Sequence, residues 1–157
     1  MKKLINVSNS ATTTDIGLLV ARLGIAALML THGIPKMIML FSGAPVQFPP
    51  VMGLSAELSL GLAVFAEVFC SVLILVGFAT RVATIPLIIT MLVAVLLIHG
   101  ADPLAKQEPA LQYLLVYVVL LFAGSGKFSI DYLLQGKMTR NNNNRKAVPD
   151  PTFAIYQ

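Results

Sequence analysis

Four apolar stretches, residues 16–41, 58–78, 82–98 and 110–124, approach the length of a lipid bilayer, and the first two carry ionisable residues in their interiors. A membrane-spanning helix takes roughly 20 mostly apolar residues, because about 30 Å of hydrocarbon is crossed at ~1.5 Å per residue. The last two stretches are short by that measure, and flanking Thr, Gln and Ser extend each of them across the interface. Ionisable groups are expensive in lipid and face a bundle interior or a functional cavity. Here they are Arg22, His32 and Lys36 in the first stretch and Glu67 in the second.

The chain is 57% hydrophobic and 11% charged. A soluble domain carries about 25% charged residues, so a compact water-soluble fold is excluded. The expected architecture is all-α, an integral membrane four-helix bundle with spans at about 16–41, 56–78, 82–99 and 109–126 inside a membrane domain covering 15–134. Residues 1–14 read as a cytoplasmic N-terminal segment and 135–157 as a disordered basic cytoplasmic tail. Met1-Lys2-Lys3 is followed by polar residues rather than the apolar segment of a secretory signal, so the first span is expected to be retained. Cys70 is the only cysteine and reads as an apolar filler, which rules out dithiol chemistry within one chain.

The net charge of +4 is explained by topology, not by a nucleic-acid partner. Lys2, Lys3, Arg81, Lys127, Lys137, Arg140, Arg145 and Lys146 fall at the termini or between spans two and three, whereas Lys106 is the only basic residue between spans three and four. The positive-inside rule then puts both termini in the cytoplasm of a bacterial inner membrane, and an even number of spans agrees.

Along the first span, Thr12, Thr13, Thr14 and Asp15 offer N-cap oxygens, and Pro35 predicts a kink or a helix end beside His32 and Gly33. Gly77 with Thr80-Arg81 reads as a tight turn, Pro109 as the first residue of the last span, and Gly124-Ser125-Gly126 as its stop.

Helical rise converts position into depth. Arg22 lies about 10 Å above the end marked by Asp15, and Glu67 roughly 16 Å above the end marked by Phe78. The ~6 Å difference predicts an Arg22–Glu67 ion pair, serving either helix docking or proton relay. At the opposite end, His32 and Lys36 share one helix face, His99 lies at similar height, and Glu57 opens the second helix. Together they predict a polar outer pocket that binds a ligand. Helix-end histidines and a snorkelling lysine are the simpler reading of each residue alone. His32 and His99 also make bis-histidine haem ligation conceivable, although no intrinsic cofactor and no metal site is expected.

The same residues carry a family resemblance. Arg22-Leu23 followed by His32-Gly33-x-x-Lys36, the stretch 67–73 with Gly77 and Thr80-Arg81, and the closing Gly124-Ser125-Gly126-Lys127-Phe128-Ser129-Ile130-Asp131 resemble the motifs of the DoxX family of small four-helix bacterial membrane proteins. Cys70, Ser71 and Ser125 depart from residues common in that family. The resemblance implies an inner-membrane protein, and some relatives are associated with quinone-linked redox complexes. It makes Gly33, Pro35, Gly77, Arg81, Gly124, Gly126, Ser129 and Asp131 motif positions.

Two functional expectations follow. One is a quinone-interacting subunit of a membrane oxidoreductase, taking electrons from a soluble or membrane redox partner. The other is a non-enzymatic scaffold or assembly subunit. A small-solute carrier component is a lesser third, since four short spans are few for transport without homo-oligomerisation.

Overall fold

The computed structural model describes residues 11–146, and side chains within 12–138. The described chain is helical, with no strand among those residues. Helix α1 (Ala11–Phe41) runs the full height of the bundle. The second rod is α2 (Ala56–Val64), a π-helical turn (Phe65–Cys70) and α3 (Ser71–Val76) in unbroken succession. Next come α4 (Thr80–Val93), which passes into a second π-helical turn (Ala94–Ile98), and α5 (Leu104–Ala123). A last helix, α6 (Ile130–Lys146), follows the bundle.

Burial follows the helical period. On α1 the buried positions are Asp15, Arg22, Ala26, Met29 and Gly33, spaced by three, four and seven residues along one stripe. Large apolar side chains cover the outward faces instead: Val20, Ile38, Phe65, Val82, Ile89, Leu96 and Leu115 are all about half exposed or more. In water such a surface would be an aggregation liability, whereas in a bilayer it is the lipid contact. The interior packs Ala26 and Met29 against Ala66, Cys70, Ile74, Leu87, Met91, Tyr117 and Leu120. Cys70 is buried there, among the apolar groups.

Three rods, Thr12–Phe41, Ala56–Val76 and Thr80–Ile98, are long and apolar enough to cross a membrane. The expected fourth span is α5, a 20-residue helix packed on α4 and α1. Its first turns carry Lys106, Gln107 and Glu108, so its apolar part is shorter than that of the other three.

Four local expectations differ from the structure, the first being the start of the last rod: α5 begins at Leu104 and carries Pro109 inside it. Helix α1 already includes Thr12, Thr13, Thr14 and Asp15, so these do not cap its start. Pro35 does not end the helix, which continues to Phe41. Helix α6 runs through residues 135–146, part of the segment expected to be disordered. Asp131 in its first turn faces the positive end of the helix dipole, and the expectation for 147–157 lies outside the described residues.

A charged pair between two cavities

The sequence-expected Arg22–Glu67 pair does not form. Arg22 is buried, and its guanidinium donates to the carbonyl oxygens of Ser125 and of Phe128, the latter at 3.1 Å. An arginine has five N–H donors, and the open loop after α5 supplies carbonyls to Nη1 and Nη2, while Nε is buried without a partner among the described residues. The carboxylate of Glu67 is met instead by Lys36, with Nζ 2.5 Å from Oε1.

Helix register explains the exchange. Gly33 lies against the backbone of Glu67: a Cβ there would stand 3.0 Å from the Glu67 carbonyl carbon and 2.8 Å from Val68 Cγ2. Glu67 is therefore level with Gly33, and Lys36 is one turn away on the same α1 face. The absence of a side chain at Gly33 is what allows this approach.

Glu67 sits within the first π-helical turn. Such turns insert a residue into a helix, and they recur at functional sites because they redirect a side chain. The second π-helical turn faces it, since Ala94 lines the space beside Glu67.

Two cavities meet at the ion pair. One, of about 280 Å³, is an apolar slot walled by Phe48, Met52, Leu62, Ala63, Ile89, Val93 and Ile98, with Lys36, Glu67 and His99 as its charged or ionisable lining. The other, of about 200 Å³, is a more polar vestibule lined by His32, Lys36, Glu67, His99, Lys106 and Tyr113. Of the expected pocket residues, the structure brings together His32, Lys36 and His99. Glu57 is exposed in the first turn of α2 and lines neither cavity.

The vestibule and its rim are cross-braced. The His32 ring meets Tyr113 edge-on at 5.8 Å, and Tyr113 stacks on Tyr117 at 6.2 Å. His99 Nδ1 lies 2.8 Å from Asp102 Oδ2, and this contact, helped by Lys106, holds the Asp102 carboxyl below the ordinary carboxylate range. Over the slot, the Phe48 ring faces the Lys36 ammonium at 5.8 Å. The loop carrying Phe48 is pinned where Val51 N–H donates to Ser59 Oγ at 3.1 Å.

Tyr113, Tyr117, Phe48 and Ser71 were not anticipated from sequence. The available signal was spacing: Ser71 follows Glu67 by one helical turn, as Tyr117 follows Tyr113. Ser71 Oγ and Tyr117 Oη are buried and face each other, and Glu67 Oε2 is buried without a hydrogen-bond partner among the described residues.

The remaining motif residues build a clasp at the end of the bundle where α1 begins and α6 starts. Asp131 accepts the backbone N–H of Ala79 at 2.7 Å and of Thr80 at 3.2 Å, while its own N–H donates to Gly77 O at 3.0 Å. Those bonds hold Ala79 at φ +48°, a conformation that costs an L-residue about 1 kcal/mol. Gly77 has φ +71°, and a Cβ on it would lie 2.7 Å from Arg22 Nη1. Ser129 Oγ donates to Gly126 O at 2.6 Å, and Arg81 Nη2 donates to Phe122 O at 3.1 Å beside Gly124. Asp15 accepts the N–H of Lys127 at 3.1 Å.

Apolar rods with lipid-facing exteriors, an internal Lys–Glu pair and a polar clasp at one end define a multi-pass membrane protein of the small helical-bundle class. The family model named DoxX matches residues 17–100, more than half of the chain, and the chain belongs to the DoxX family. That segment contains Arg22, Gly33, Lys36, Glu67, Gly77 and His99, while the closing clasp sequence lies beyond it. No curated protein and no solved structure gives a match to the chain.

Proposed function

We propose that this chain is a bacterial inner-membrane subunit that holds a quinone-class molecule in the apolar slot, for a redox partner that supplies the electrons. The observation that carries the reading is the slot itself, apolar along its walls and ending on the Lys36–Glu67 pair. Small-molecule sites are mostly apolar concavities with a few placed polar groups. An ammonium has three N–H donors, and Glu67 Oε1 takes one, leaving others for a ligand carbonyl oxygen. His99 lines the same slot as a further polar contact. No intrinsic cofactor is part of this reading, and the quinone is a substrate or ligand.

The positive-inside rule favours cytoplasmic termini, since Arg81 and Lys127 lie beside Asp15, at the end of the bundle where α1 begins.

Binding of a short-chain benzoquinone to the purified protein in lipid nanodiscs tests the reading. Wild type and His32→Ala are expected to bind, because His32 lines the vestibule and not the slot, whereas Lys36→Ala is expected to lose most affinity. No binding by folded wild type would reject it.

A scaffold role is the second reading, and a specific observation favours it. Arg22, Gly77, Ser129 and Asp131 are spent on tying helix ends together. On that reading Arg22 variants lose protein abundance, while Lys36 and His32 variants keep the activity of whatever complex the chain joins.

A further inference from the structure

Glu67 is the one carboxylate among the described residues that lines both cavities. Its side chain is 3% exposed; Oε1 is held by Lys36, and Oε2 is buried without a hydrogen-bond partner among the described residues. A second carboxylate oxygen in that position has two states with opposite chemistry. Ionised, it accepts hydrogen bonds only; protonated, the same carboxyl can donate one.

We infer that Glu67 is a proton-exchanging site whose charge state selects between ligands that accept and ligands that donate a hydrogen bond in the slot. The inference rests on the slot reading above.

A ligand that presents only a carbonyl oxygen sets lone pairs against lone pairs when Glu67 is ionised. Protonation turns that clash into a hydrogen bond from Glu67 to the ligand. A ligand that presents a hydroxyl has the reverse preference: it donates to the ionised carboxylate and needs no added proton. The quinone and hydroquinone forms of one ring are such a pair. No bond is made or broken in the ligand by this step; one proton passes from water to the carboxyl group.

The vestibule supplies the route. The charged and titratable groups facing Glu67 are Lys36 and His32 from α1, Tyr113, Tyr117 and Lys106 from α5, and His99 just after the second π-helical turn. Lys36 occupies Oε1 and leaves Oε2 open, so in this proposal the proton arrives on Oε2 with the acceptor ligand.

Proton linkage fixes the direction. A ligand that binds with proton uptake binds more tightly as pH falls, by up to tenfold per pH unit while the free site is ionised. The hydroquinone form is expected to show no such slope over the same range.

Isothermal titration of nanodisc-embedded protein, repeated in two buffers of different protonation enthalpy, measures the proton count directly. The probes are a short-chain benzoquinone and, under anaerobic conditions, its hydroquinone. Uptake approaching a single proton is expected for the quinone and near zero for the hydroquinone. Glu67→Gln, whose amide donates without titrating, is expected to bind the quinone with the uptake abolished. Glu67→Asp, which keeps a titrating carboxyl, is expected to retain part of it. Quinone binding without uptake, or with uptake unchanged in Glu67→Gln, would overturn the inference alone. Absence of binding by either probe would overturn the slot reading and the inference with it.

Discussion

Lys36 and Glu67 form an ion pair at 2.5 Å whose partners differ in burial, the lysine side chain being 30% exposed and the glutamate 3%. The two ends of the pair are therefore unequal when one is removed. An ammonium on a four-carbon stem can swing toward the interface, whereas the carboxylate is fixed within the bundle.

Lys36→Ala is expected to cost more stability than Glu67→Gln. Breaking a buried pair by removing one partner costs about 3–5 kcal/mol. The exposure of Lys36 lowers this to roughly 2–3 kcal/mol for Lys36→Ala, against about 1 kcal/mol for Glu67→Gln. Unfolding midpoints in a mild detergent, titrated with a denaturing one, read the order. Equal losses would show that the pair is solvated on both sides.

Arg22 and Glu67 are expected to behave independently. They share no hydrogen-bond partner, since Arg22 is held by Ser125 and Phe128 and Glu67 by Lys36. In a double-mutant cycle with Arg22→Gln and Glu67→Gln, the coupling should stay within about 0.5 kcal/mol. The Lys36–Glu67 cycle should exceed that. A large Arg22–Glu67 coupling would contradict the clasp geometry.

Gly77→Ala is expected to weaken the bundle by at least 1–2 kcal/mol, since φ is +71° and an added Cβ would crowd Ser129 and Arg22. Gly17→Ala, inside α1 with nothing within 4 Å, should be neutral or stabilising, because alanine favours helix by about 1 kcal/mol over glycine. Thermal stability of the two variants side by side checks the contrast.

The loop between α4 and α5 carries a pH dependence of known sign. Asp102 is held below its ordinary range, chiefly by the hydrogen bond from His99 and then by Lys106. A carboxyl whose folded value is depressed contributes stability that is complete above the unfolded value near 3.9 and is lost as pH falls through the folded one. His99→Ala should therefore move the Asp102 titration upward toward that ordinary value. Carbon-13 NMR of the labelled carboxyl measures the shift, and an unmoved titration would remove His99 as its main cause.

Much of the fold was legible because apolar run length and flanking turn residues act locally. The rods at 56–76 and 80–98, and the turn at Gly77, follow directly from that pattern. Of the expected group, His32, Lys36 and His99 line one vestibule while Glu57 does not, since helical rise gives height well within one helix but not the direction a helix-end side chain takes.

The pairing failed because height was compared between helices with an assumed common floor. The depth arithmetic sets Asp15 level with Phe78, yet Gly33 lies against Glu67, which lowers Asp15 by about seven residues, or roughly 10 Å. Residue identity also conceals main-chain acceptors, so the carbonyls of Ser125 and Phe128 gave no sign that they would hold Arg22. Neither π-helical turn has a signature in the residues that form it.

The most direct measurement is photo-crosslinking of the nanodisc-embedded protein with an azido-benzoquinone, followed by peptide mapping. Labelling confined to the slot lining, namely Lys36, Glu67 and residues within 48–63 and 89–99, and competed away by unlabelled quinone, is the expected result. Labelling spread over lipid-facing residues such as Val20, Val82 and Leu115 without competition would contradict the slot as a ligand site.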